Sequence, residues 1–255
     1  MGNYVNFISD EDFEKAVRKL IKKYEKTKDK MSYEKFITNQ VDPIKFLFDK
    51  NMLNQSDEEN ISAEIKRKID RTIANAIGDF HEDLLGSIKG YKKYPRGHGY
   101  DIKANDNSLY ADIKNKHNTV TGGNLEKLYK DLEKYIRESK NPNAKAYWVQ
   151  IISNGKSFNE NWILDTKELR NPNVFKISGD KFYELLTGQK NAFYDICVAL
   201  PEVINKVKNE DKIKEMSDNT QIFEELENKA KNKNIDISTH LFNEAFKTYN
   251  GFPIK

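Results

Sequence analysis

The stretch YDIKANDNSLYADIKNKHNTVTGGN, Tyr100 to Asn124, contains two strand-like runs separated by a polar turn. The first covers residues 100–104 and the second Leu109–Lys116. Between them, Asn105-Asp106-Asn107-Ser108 is a hairpin signal, because Asn, Asp and Ser tolerate positive φ and hydrogen-bond their own backbone. Side chains alternate along a strand, so Leu109, Ala111 and Ile113 share one face. Tyr110, Asp112, Lys114 and Lys116 share the other. An acid and a lysine two residues apart thus point the same way, with Asp101 on the neighbouring strand.

Working outward, residues 91–99 (YKKYPRGHG) read as a basic, aromatic loop. Upstream, a helix is predicted over residues 62–88, with Ile65, Ile69, Ile73, Ile77, Phe80, Leu84 and Ile88 as its apolar stripe. Its other side carries Gly78, Glu82 and Gly86 at i, i+4 spacing, so that a strand end or another chain can approach Glu82 closely. Towards the N-terminus, Ser9 or Asp10 can cap a first helix through Phe13, Val17, Leu20, Ile21 and Tyr24. A second helical piece follows the polar break at residues 27–30, and Pro43 begins a third. Residues 52–60 read as a loop.

Downstream, Asn124 can cap a helix over residues 125–137. The run 144–153 (AKAYWVQIIS) has little polar alternation and predicts a buried central strand. Shorter strands are expected at 161–165 and 174–178. Helices are expected at 180–186 and 191–207, with Pro201 bending or splitting the latter, and at 220–231 and 238–249. The order predicts an α/β fold with a central mixed β-sheet flanked by helices. We expect a single domain over 1–255, with a helical N-terminal part (1–60), a core (61–207) and a helical C-terminal extension (208–255).

Composition sets the limits. Hydrophobic residues make up 37% and charged residues 33% of the 255, and 14 Phe, 13 Tyr and 2 Trp supply a core. No apolar run approaches the roughly 18 residues of a membrane span. The N-terminal MGNYVNFISDED lacks a basic start followed by an apolar core, so no signal peptide is expected. The lone Cys197 excludes an internal disulfide framework and fits a reduced cytosol. A net charge of +3 does not by itself identify a nucleic-acid partner, but it presents no strong repulsion to one. Lysine is abundant throughout, so basic clusters carry little weight.

The constellation suits one chemistry. Phosphodiester hydrolysis needs a metal to polarise the phosphate, an activated water and stabilisation of added negative charge. Mg²⁺ prefers oxygen ligands and keeps several waters, which suits two carboxylates plus a substrate phosphate. Asp101 and Asp112 are the candidate metal ligands, with the Ile113 carbonyl as a third oxygen and Glu82 as a helix-borne addition. Lys114 would orient the attacking water and offset phosphate charge. The spacing alone recurs in Asp165-Thr166-Lys167 and in Asp101-Ile102-Lys103. The latter permits another register, with Asp79 or Asp83 as upstream acid and Lys103 as the lysine. His81, His98, His117 and His240 show no metal-ligand spacing.

The run 111–124 (ADIKNKHNTVTGGN), with 75–87 (NAIGDFHEDLLGS), resembles type II restriction endonucleases of the PD-(D/E)xK nuclease superfamily. The branch it resembles cuts GGNCC- or GGWCC-type palindromes. Fainter likeness covers residues 4–10, Asp42-Pro43 and 182–203, about the first two hundred residues. The resemblance implies a restriction-endonuclease-like core and a Mg²⁺-dependent homodimer acting on double-stranded DNA in a bacterial or archaeal cytoplasm. Position by position, Asp101 and Asp112 match the motif's acids and Lys114 its lysine. Tyr100 stands where the motif has Pro, and Asp112 where many relatives carry Glu. Glu82 matches a helix acid used by part of the superfamily. Lys116, His117, Asn118 and Thr119 lie where DNA must pass and are expected to contact phosphates or base edges, with Arg96 as a candidate guanine reader. A repair or recombination nuclease and a non-catalytic DNA-binding module are the alternatives.

Overall fold

The structure, a computed structural model, describes residues 2–29, 48–49, 51–54, 57–95, 97–164, 168–213, 228, 230–235, 239, 243 and 246–254. Two compact units divide the chain, one formed by residues 1–17 and 81–255, the other by 18–80. Helix α1 (Asp10–Asp29) starts in the first unit. Ser9 is its cap: Asp12 N–H donates to Ser9 Oγ at 3.1 Å and Ser9 Oγ donates back to Asp12 at 2.6 Å.

The second unit holds the rest of α1 and most of α2 (Asp57–Gly86). Helix α2 begins five residues before the expected Ser62. The expected helical pieces between residues 30 and 47 lie outside the described residues. Met52 is helical rather than part of a loop.

In the first unit, a six-stranded sheet runs in the order β1-β2-β3-β4-β6-β5. Its strands are β1 (Tyr91–Lys93), β2 (Ile102–Ala104), β3 (Leu109–Lys116), β4 (Lys145–Ile152), β5 (Asn159–Leu164) and β6 (Leu169–Ser178). The first three form an antiparallel meander, β3, β4 and β6 are parallel, and β5 returns antiparallel to β6. The mixed sheet and the central position of β4 are as the sequence predicts. The β2–β3 turn closes as its chemistry requires. Asn107 takes φ of 61°, and Asp106 accepts hydrogen bonds from the Ser108 N–H (2.9 Å) and hydroxyl (2.6 Å).

Further elements of this unit depart from expectation. Tyr91–Lys93 is a strand paired with β2, not loop, since three residues carry no periodicity until a partner strand supplies the ladder. Helix α3 (Gly122–Glu138) starts at Thr121, and Gly122, Gly123 and Asn124 form its first turn. Strand β6 begins five residues before the expected Val174, and Asn161 spans the irregularity around Pro172 by donating to the Asn171 and Val174 carbonyls.

Helices cover both sheet faces. Helix α3 lies on the face carrying Tyr110 and Trp148, and Tyr129, Trp148 and Trp162 form its aromatic centre. On the other face, Phe182 of α4 (Gly179–Thr187) meets Tyr147. Helix α5 (Ala192–Glu210) packs on α4 and continues unsplit through Pro201. Cys197 is buried there, and burial pushes its thiol pKa up. The two helices expected after residue 219 fall largely outside the described residues. The Tyr249 hydroxyl, further on, accepts from Ser153 N–H at 2.8 Å and donates to Ile151 O at 2.9 Å. No helix among the described residues is long and apolar enough to cross a membrane.

Candidate active site

The hairpin and the end of α2 build the site. Asp101 lies just before β2, where its N–H donates to Ala111 O at 2.8 Å. Its carboxylate Oδ2 then accepts the Ile113 N–H at 2.7 Å, which fixes the side chain along β3. On β3, Asp112 and Lys114 share one face, and their charged ends lie 2.5 Å apart. The final turns of α2 add Glu82 and Asp83. Lys93 of β1 bridges these two acids, at 2.9 Å from Glu82 and 2.7 Å from Asp83. Gly86 makes that approach possible: a Cβ there would stand 2.6 Å from Lys93 Cβ and 2.7 Å from Lys93 N.

Charge and burial shape these groups. Burial, then the neighbouring Asp112 charge, raises the Asp101 pKa against the Ile113 N–H, Lys114 and Lys93. Burial also raises Asp112; Lys114 works against it, while Glu82 and Asp131 add to it. Burial opposes the Lys93 ammonium, but hydrogen bonds to Asp83 and Glu82 outweigh it and its pKa is raised. Asp101 and Asp112 are therefore partly buried oxygen donors, with Asp112 disfavouring the charge on Asp101, a set that fits a hard divalent cation. Among the described residues, no group of three His, Cys, Asp or Glu side chains stands ready to hold a metal. A cation here would complete its shell with waters, carbonyl or phosphate oxygens.

The other expected residues fall in two groups. Lys116 ends β3 on the Asp112 face, and His117 N–H donates to Ile152 O at 3.0 Å. Thr119 folds back, its hydroxyl donating to Lys116 O at 2.6 Å, while Asn118 and Thr119 stay exposed. Arg96 and the Asp165-Thr166-Lys167 repeat of the spacing lie outside the described residues. Lys103 stands 5.4 Å from the centre of the Tyr110 ring, a cation–π contact rather than an acid–lysine pair. Lys93 is the site residue that sequence reasoning missed. Its only signal is the small residue at Gly86, one turn beyond Glu82, which marks where a strand approaches.

Comparison with known proteins identifies the family of the whole chain. The family model described as Eco47II restriction endonuclease matches residues 5–209. The type II restriction enzyme Sau96I of Staphylococcus aureus is 36% identical over 254 residues, covering 94% of each chain. The type II restriction enzyme Eco47II of Escherichia coli is 33% identical over 214 residues, 81% of this chain and 89% of that one. Coverage of 94% carries the likeness into the last fifty residues, which the motifs alone do not reach. The chain belongs to the Eco47II restriction endonuclease family.

Proposed function

We propose that this type II restriction endonuclease cuts both strands of a short palindromic duplex as a Mg²⁺-dependent homodimer in the bacterial cytoplasm. The GGNCC/GGWCC class is the target class we favour. Site-specific cleavage of double-stranded DNA within a restriction–modification system is what the family does, and a divalent metal serves it as cofactor. Asp101 and Asp112 are the residues that would hold the ion, with Glu82 as an outer acid tied to Lys93. When bound, the ion supplies charge to polarise the phosphate and acidify a water.

The chain's own groups do the positioning. Ile113 N–H holds the Asp101 carboxylate. Lys114, beside Asp112, orients the water and offsets phosphate charge. Lys93 keeps Glu82 and Asp83 from adding two unbalanced charges next to a polyanion. Lys116, His117, Asn118 and Thr119 follow the catalytic strand and contact the duplex, the lysine through phosphate. The observation that carries this reading is the hairpin register. It brings Asp101 to the N–H of Ile113, the residue between Asp112 and Lys114.

Incubation with plasmid and Mg²⁺ tests it. Discrete fragments are expected; a smear would indicate a repair or recombination nuclease, and intact plasmid a binding module. Asp112→Ala and Lys114→Ala should each abolish cutting while leaving binding to the cut fragment, and Lys103→Ala should stay active. Full cleavage by Asp112→Ala would sink the assignment.

A further inference from the structure

Gln150 lies in the buried run of β4 after Lys145, between Val149 and Ile151 in the centre of the sheet. Its register partners are Lys114 on β3 and Ser178 on β6. Residues paired across strands share a face, so Gln150 stands beside Lys114, on the side that carries Asp112 and Trp148. It is 7% exposed.

Five buried residues among those described are polar or charged. Four are engaged. Ser153 bonds Tyr249, Ser178 and Asp180 bond each other, and Asn243 bonds the Ile254 backbone. The Gln150 amide has no partner among the described residues. Nor are its amide atoms among the buried side-chain atoms sealed from water without a partner. A carboxamide that reaches solvent from an otherwise buried residue, with no protein partner, has its N–H available to a ligand.

The neighbouring groups say which ligand. Lys114 is drawn to Asp112 at 2.5 Å, and two acids repel an incoming phosphate. A neutral donor beside them adds a hydrogen bond without taking part in that charge balance. We propose that Gln150 is a further catalytic residue, whose carboxamide N–H donates to a non-bridging oxygen of the scissile phosphate as charge builds in the transition state. This rests on the placement of the active site at Asp101, Asp112 and Lys114.

Gln150→Met tests it, because Met keeps the length and loses the donor. Three readouts apply: single-turnover cleavage of supercoiled plasmid in Mg²⁺, affinity in EDTA for the plasmid fragment spanning the mapped cut, and the melting temperature. The expected result is a roughly hundredfold slower chemical step, unchanged affinity, and a melting temperature equal to or above wild type. That last readout separates the proposal from a packing role, which would lower rate and melting temperature together and overturn it. An unchanged rate overturns it too, as does a rate loss matched by lost affinity. Asp112→Ala run alongside keeps the two readings apart. If it also cuts at full rate, the site itself is misplaced; if it is dead while Gln150→Met is fast, only the role of Gln150 fails.

Discussion

At Asp101 a hydrogen bond and a repulsion act on the same carboxylate. The Ile113 N–H favours its charged form, while burial and Asp112 disfavour it more, so its pKa is raised above 3.8. A folded-state pKa above the unfolded one means that the folded chain binds the proton more tightly. Stability is then greatest below the unfolded value and falls as pH rises through the folded one. Asp101→Asn keeps an oxygen for the Ile113 N–H and removes the charge. In EDTA at pH 7 this variant should melt at or above wild type, with the difference fading as pH approaches 3.8. In Mg²⁺ it should not cut DNA. A melting temperature well below wild type at neutral pH would contradict this account. Asp112 and Lys114 were legible in the sequence because a strand's period of two is rigid. Lys93 was not, since an ion pair between β1 and α2 follows from packing that no local pattern records.

Among the elements, the hairpin was readable because its turn chemistry is local, and Asn107 and Asp106 adopt the geometry their side chains favour. Strand β1 was not, because its position depends on the fit between Gly86 and Lys93. That fit is testable. Gly86→Ala would place a methyl 2.7 Å from the Lys93 backbone nitrogen, and backbone cannot swing aside as a side-chain tip can. The strand must shift, at a cost of about 1–3 kcal/mol, and Lys93 moves away from Glu82 and Asp83. Urea unfolding should show that loss, and cleavage should slow. Gly78→Ala is the contrasting change, because a methyl there meets nothing within 4 Å among the described residues. It should instead add about 0.5–1 kcal/mol through helix propensity. Equal behaviour of the two variants would rule out the close approach as the reason for Gly86.

For the whole molecule, the α/β class and the strand face shared by Asp112 and Lys114 follow from hydrophobic patterning and one motif, whereas the separate compactness of residues 18–80 has no composition shift to announce it. Symmetry adds what a single chain cannot. A palindromic duplex presents two related scissile phosphates, and each chain carries one Asp101, Asp112 and Lys114. On the proposed reading, both strands are cut in one encounter by two chains, each acting on one strand. Wild-type chains paired with Asp112→Ala chains, separated by distinct tags, should bind the site as dimers yet break only one strand. Supercoiled plasmid would then accumulate as the nicked circle, where the wild-type dimer yields linear DNA. Sedimentation of the unmixed protein should give twice the 29.8 kDa chain mass. A chain that sediments at its own mass, and a mixture that linearises plasmid in proportion to its wild-type content with no nicked intermediate, would show that one protomer cuts both strands.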